Sequence, residues 1–251
     1  MRIWIFILTM FLSLNVYAKT ISGDDCALEG EGNICHWEFD DETKTLTISG
    51  TGAIGGYTPT GYNNSLPSIS ERPWNKVANQ VEHVVVSEGI TQIEDYTFYQ
   101  LPKLKTAQMP QSLQKMTLGV FAWDSGLSKI NIPSSVTITG AALRDVNLKD
   151  IVLPDNVKLG NRAFQNTQLE SITIADTVEI LDDNVFDGNT NLKKIYCSGN
   201  MDVCKQKMVG VLKRLGIEDK IKWAYTPRRI YTVEEANNVT GKKNTVKLKY
   251  K

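Results

Sequence analysis

Residues 81–196 state one pattern five times and begin it a sixth. The units open at Val81, Leu104, Leu127, Leu148, Leu169 and Leu192, at spacings of 23, 23, 21, 21 and 23 residues. A fixed period of this length is the mark of a solenoid. No single unit buries its own apolar face; stacking on its neighbours does so. Each unit begins apolar-x-x-apolar-x-apolar: Val81/Val84/Val86, Leu104/Ala107/Met109, Leu127/Ile130/Ile132, Leu148/Ile151/Leu153, Leu169/Ile172/Ile174 and Leu192/Ile195/Cys197. The last two positions are two apart, so they share one face of a strand, and successive units stack as one parallel sheet. Pro110, Pro133 and Pro154 follow that strand in three units and end its ladder, because proline has no N–H to donate.

A second apolar pair comes next: Ile90/Ile93, Leu113/Met116, Val136/Ile138, Val157/Leu159 and Val178/Leu181. Each unit then places one large residue, Phe98, Phe121, Leu143, Phe164 or Phe186, to fill the interior beneath the sheet. Burying such a side chain stabilises by about 1.5–3 kcal/mol. The shortened spacings predict a local change in curvature.

A solenoid needs closed ends. Before the repeats, residues 37–52 alternate as a β-hairpin. Trp37 and Phe39 lie on one arm, Leu46 and Ile48 on the other, and residues 40–44 make the turn. Residues 50–73, rich in Gly, Pro, Asn and Ser, read as a loop. Its Tyr57 and Tyr62 either form a binding tip or pack onto the cap, and Pro73-Trp74 anchors the chain ahead of the first unit. After the repeats, Cys204, Met208, Val211, Leu212 and Leu215 fall on one helical face, opposite Lys205, Lys207, Lys213 and Arg214, with Gly216 near the stop. That helix reads as the second cap rather than a membrane-surface helix.

Residues 1–18 have the form of a secretory signal: Arg2, an apolar core, and Val16-Tyr17-Ala18 before cleavage ahead of Lys19. Export makes the four cysteines a disulfide framework. Local pairing, Cys26 with Cys35 and Cys197 with Cys204, is the simplest of three connectivities, because each pair lies at one end of the repeats. The spacings fit no zinc pattern, and His36 and His83 are the only histidines, so no metal site is expected. Cys35 beside His36 is the one conceivable nucleophile–base pair. Neighbours in a strand point apart, however, and an exported thiol oxidises.

The unit L-x-x-I-x-I-P-x-S-V-x-x-I-x-x-x-A-F, read from residues 127–136 with Ala163-Phe164, resembles the BspA-like leucine-rich repeat. The lead-in is similar as well: Trp37, Leu46-Thr-Ile-Ser-Gly-Thr-Gly52, Pro73-Trp74, then Val84-Val-Val-Ser-Glu-Gly-Ile-Thr-Gln-Ile93. Leu143 departs from the pattern by replacing the Phe, and Ala107 by being small. The resemblance covers residues 26–197. It implies secreted or surface-displayed proteins, several of them adhesins.

The expected fold is mainly β with minor α: a leucine-rich-repeat solenoid with a parallel β-sheet, an N-terminal β-hairpin cap and a C-terminal helical cap. The expected divisions are a signal peptide (1–18), a cap with its lead-in loop (19–80), the solenoid (81–197), a helical cap (198–225) and a basic appendage (226–251).

Ligand contacts are expected on the strands' outward positions: His83, Val85, Thr106, Gln108, Lys129, Asn131, Asp150, Val152, Ser171, Thr173, Lys194 and Tyr196. Nothing among them converges as a nucleophile with its base, or as paired carboxylates in a cleft. Asp182-Asp183 is a candidate cation site, weighed against two solvated acids in a turn.

The composition, 41% apolar and 22% charged, excludes a disordered chain. Residues 226–251 carry seven basic and two acidic side chains, a net +5, whereas residues 19–225 are net −6. The repeats therefore carry no basic stripe, which argues against nucleic acid. The tail reads as a β-α-β appendage with a capping box at Thr232 and Glu235, a break at Gly241 and an alternating strand at 245–251. It serves either as a cationic attachment to an anionic envelope polymer or lipid, or as an edge strand guarded by lysines.

The expected function is an exported, non-enzymatic surface for a protein or glycan ligand, secreted, periplasmic or on the cell surface. No cofactor is expected, and no transmembrane segment once the signal is removed. The alternative is a structural envelope protein held by its basic tail.

Overall fold

The computed structural model describes residues 20–30, 32–57 and 72–227. The signal segment, Tyr62 and the tail beyond Pro227 lie outside the described residues.

The hairpin forms as the alternation requires. β1 (Thr20–Gly23), a strand without a sequence signal of its own, pairs antiparallel with β2 (Ile34–Asp40). β2 pairs antiparallel with β3 (Thr45–Ile54), setting Trp37 opposite Ile48 and Phe39 opposite Leu46. In the turn, Asp40 Oδ1 accepts the N–H groups of Glu42 (2.8 Å) and Thr43 (3.2 Å), which hold its carboxyl below the usual carboxylate range. The loop expected from Gly50 begins later, because β3 continues to Ile54. It does so by changing sheets at an irregularity between Gly52 and Ala53. Gly50 sits at φ 136°, where a Cβ would lie 1.9 Å from the Ile34 carbonyl oxygen, so only glycine takes that bend.

Each unit then contributes two short strands rather than one. They are β4 (His83–Val86) and β5 (Ile90–Ile93), β6 (Thr106–Gln108) and β7 (Lys115–Met116), β8 (Lys129–Ile130) and β9 (Thr137–Ile138), β10 (Asp150–Leu153) and β11 (Lys158–Leu159), then β12 (Ser171–Ala175) and β13 (Glu179–Ile180). The even-numbered and odd-numbered members stack as two separate parallel ladders. The single sheet expected from the sequence is therefore one of two. The second apolar pair marks the other, too short to show a period of its own.

The odd-numbered ladder runs unbroken from β3 to β13. The even-numbered one is interrupted between β8 and β10 and resumes as β10-β12-β14-β15, where β14 is Lys194–Ser198 and β15 is Lys222–Tyr225. The break falls where the two 21-residue units meet. It is bracketed by Asn147 N–H to Leu127 O (3.0 Å) and Ser135 N–H to Asp155 O (2.9 Å).

The core lies between the ladders. All six unit-opening residues and both inward positions of every first strand are buried. Phe98, Phe121, Leu143, Phe164 and Phe186 are fully enclosed. Trp74 stacks on Phe98 at 5.7 Å, Phe98 on Phe121 at 5.1 Å and Phe164 on Phe186 at 5.5 Å; Leu143 divides the two stacks. Trp74 also meets Trp37 and Tyr57 edge-on, which makes it the anchor expected of Pro73-Trp74. Leu181, expected in the core, is 57% exposed. Ile180 pairs with Leu159 in its place, so the fifth unit keeps the short two-residue spacing and takes its extra length afterwards.

At the far end, α1 (Met201–Leu215) replaces a second strand. Asn200 caps it, accepting the N–H groups of Asp202 and Val203, and Gly216 at φ 66° ends it. Cys204, Met208, Val211 and Leu212 are its buried face, as the spacing predicts. The helical cap carries an unforeseen strand: β15 returns the chain alongside β14, with Trp223 opposite Ile195. The disulfides are Cys26–Cys35 and Cys197–Cys204, the local pairing. Among the described residues, no helix is long and apolar enough to cross a membrane.

Candidate functional site

The even-numbered strands alternate burial along their length, so every second side chain leaves the core by the same open face. Ladder register turns these side chains into rows. On one side of the break, Thr45, His83, Thr106 and Lys129 lie side by side, with Thr47, Val85 and Gln108 in the next row. On the other, Asp150, Ser171, Lys194 and Lys222 form one row and Val152, Thr173, Tyr196 and Ala224 the next. Eleven of the twelve outward residues read from the sequence lie in these rows, in two groups rather than one; Asn131 falls just beyond β8.

The two groups differ in what their polar atoms do. In the first, His83 Nδ1 and Thr106 Oγ1 are 2.7 Å apart. The Asn131 side-chain amide pairs with the main chain of Met109, accepting from its N–H and donating to its carbonyl, each at 2.8 Å. That amide therefore imitates a strand residue just where the ladder stops, and it is spent on the fold.

In the second group the hydroxyls of Thr173, Tyr196, Ser198 and Thr226 make no hydrogen bond to the described residues. They line a hollow of about 310 Å³ together with Val152, Leu153, Pro154, Asp155, Ala175 and Pro227. Ser198 is only 6% exposed. Tyr196 stands at its edge with Lys194 Nζ 4.5 Å from the ring centroid. Asp155 accepts from Thr177 Oγ1 at 2.8 Å. Ser198, Thr226 and Pro227 escaped the sequence reading. Ser198 follows the repeat pattern by one position, and Thr226 follows β15, a strand that no repeat announces.

A second, larger hollow of about 740 Å³ lies between β1 and the Trp74 anchor. Several of its polar groups pair locally: Asp24 with His36 Nδ1 at 2.6 Å, and Asp25 with Trp37 Nε1 at 2.9 Å. Behind it, Arg72 donates to the Tyr99 carbonyl at 2.6 Å, and burial draws its guanidinium down to about 10. Burial likewise raises the Tyr57 hydroxyl above its ordinary range.

The catalytic pairing considered for Cys35 and His36 is not formed. Cys35 is bonded to Cys26, and His36 faces Asp24. Asp182 accepts the N–H of Asn184, and the Asp183 carboxylate abuts the α1 main chain at Gly210. Among the described residues, no three His, Cys, Asp or Glu side chains converge to hold a metal ion.

No curated protein sequence matches the chain. Among solved structures, it is similar to a leucine-rich repeat protein from Eubacterium ventriosum, at 23% identity and a TM-score of 0.54, over 72% of this chain and 44% of that one. It is also similar to a leucine-rich repeat protein from Bacteroides ovatus, at 21% identity and a TM-score of 0.45, over 64% of this chain and 45% of that one. The pneumococcal vaccine antigen PcpA aligns at 17% identity and a TM-score of 0.38, over 61% and 43%. The chain thus spans less than half the length of these structures. The BspA type Leucine rich repeat region matches in six copies over residues 60–164 and 120–210. With the two ladders and the five-fold core seen above, the chain belongs to the BspA-type leucine-rich repeat family.

Proposed function

We propose that this protein is an exported, non-enzymatic binding module whose open strand face receives a protein or glycan ligand. The observation that carries the proposal is the hollow after the break, lined by the hydroxyls of Thr173, Tyr196, Ser198 and Thr226, none of which bonds to a described residue. Two disulfides at the ends of the repeats support an oxidising compartment, and so export. Cys35, the one thiol weighed as a nucleophile, is consumed by a disulfide, which supports a binding role.

The test is retention of a partner from host or neighbouring-cell extract on the immobilised protein, compared with a Tyr196→Ala, Thr173→Val double variant. Parent-only retention is expected, and no turnover of envelope polymers. A partner retained equally by the double variant and by a His83→Ala, Lys129→Ala variant would remove the strand face from the proposal.

A further inference from the structure

Charge and exposed apolar side chains are gathered at the two ends of the array, which begins at β1 and β2 and finishes at β15 and α1. Residues 20–57, which make the first cap, hold eight acidic side chains and one basic, a net −7. Residues 193–222, which make the last, hold eight basic and three acidic, a net +5. The tail, residues 228–251, continues from the basic end and adds a further +5. Glu29, Glu38 and Glu42 are exposed at the first end, and Lys205, Lys213 and Lys220 at the second. None of the six joins an ion pair with a described residue.

A cap whose only task is to close the core is polar outside, and these caps are not. Among the described residues, seven large apolar side chains are well exposed, and six of them lie at the ends. Leu28 and Ile34 are at the first, Leu181, Val203, Val209 and Tyr225 at the second. Burial fixes their direction. On β2, Cys35, Trp37 and Phe39 face the core, so Ile34 and Glu38 face away from it. On α1, Cys204, Met208, Val211 and Leu212 are buried, so Val209 and Lys213 face away.

Each end is therefore apolar surface among charges of one sign, and the two signs are opposite. Pairing like ends sets like charges together, whereas pairing unlike ends covers both apolar surfaces with complementary charge. We infer that a second copy of this chain seats its basic C-terminal cap on the acidic N-terminal cap, head to tail. Such a heterologous contact leaves one end of each pair unused, so it repeats along an open string. The open strand face stays clear, and the inference stands apart from the binding-module reading.

Sedimentation velocity of the full chain at rising concentration tests this, in about 10 mM and about 1 M salt. Mass that grows past a dimer is expected in low salt, and monomer in high salt; this arm needs no variant. Two full-length variants fix the direction. Glu29→Lys, Glu38→Lys, Glu42→Lys reverses exposed charges of the first end, and Lys205→Glu, Lys213→Glu, Lys220→Glu those of the second. Each alone is expected to associate about tenfold more weakly than the parent. An equal mixture of the two is expected to recover association, because the reversed surfaces complement each other. A parent that stays monomeric in low salt, growth that stops at a dimer, or a mixture no stronger than its parts overturns the inference. A full chain carrying Lys242→Gln, Lys243→Gln, Lys247→Gln and Lys249→Gln is expected to associate still. If it stays monomeric, the contact belongs to the tail and the inference falls.

Discussion

At the scale of the residue, the same place in two units is filled by different groups with opposite consequences. Asn189 lies three residues after Phe186, fully buried, and is fully used. Its amide donates to the carbonyls of Phe164 (2.7 Å) and Phe186 (2.9 Å), and its oxygen accepts from Leu169 N–H and Thr167 Oγ1, both at 2.9 Å. Asp124 lies three residues after Phe121, equally buried. Its Oδ1 accepts from Leu101 N–H, but its Oδ2 has no partner. Burial pushes the Asp124 carboxyl well above the usual carboxylate range, against the pull of the Leu101 N–H and of Arg72. The folded protein thus keeps a proton that the unfolded chain releases above about pH 4. The penalty is absent below that pH and grows as pH rises toward the folded value. Asp124→Asn removes the titration and supplies an N–H₂ donor like that of Asn189. The variant is expected to match its parent near pH 4. At pH 7 it should exceed the parent by about 1 kcal/mol, a Tm gain of about 2–4 °C. Urea unfolding of both proteins at a series of pH values checks this. A variant losing stability relative to its parent as pH rises would show Asp124 to be ionised against Arg72.

At the scale of the element, one clamp organises the whole C-terminal end. Cys197 fills the inward third apolar position of the sixth unit, and its disulfide to Cys204 joins β14 to the first turn of α1. Beyond the helix, β15 adds to β14, and Thr226 N–H reaches the Cys197 carbonyl at 2.9 Å. Across the cap, Arg214 makes a forked pair with Asp187. Closing so short a loop restrains the unfolded chain by about 2–3 kcal/mol in the chain-entropy picture. Replacing both cysteines by serine also places two hydroxyls in full burial. The expected result is faster hydrogen exchange in β15 and α1, with β5, β7 and β9 still protected, because a solenoid transmits stability chiefly between nearest neighbours. Uniform loss of protection across the repeats would show that the clamp holds the whole array.

At the scale of the molecule, charge is unevenly divided. Residues 228–251 hold seven basic side chains and two acidic ones, while the rest of the chain after residue 18 is net acidic. A cationic end on an acidic body suits attachment to an anionic envelope polymer. A chain ending at Pro227 retains every described residue. Expressed in a bacterial host with its own envelope, it is expected to move from the cell-bound fraction to the medium. That shift should be reproduced for the parent by high salt, which screens such contacts. Identical fractionation of the two chains would show that the tail does not hold the protein.

The sequence by itself determined the array. Its period, its five large interior residues and the alternation of its first strands were legible, because core positions in a repeat are dictated locally and restated in every unit. The hairpin, the cap helix and the disulfide partners were readable for similar reasons: short-range periodicity and short loops. What tertiary structure decided lies where neighbours compete. The second ladder came from inter-unit backbone bonding that two apolar residues do not announce. Leu181 and Ile180 exchanged places because register with Leu159, not local pattern, chose between them. Eleven outward residues were legible as a face, but their division at β8 and β10 was not. Nor was it legible that Asn131 is turned to the main chain while Ser198 and Thr226 complete a hollow. Whether a hydroxyl is free depends on who stands beside it after folding, and in this protein that neighbour arrives from another unit or from β15.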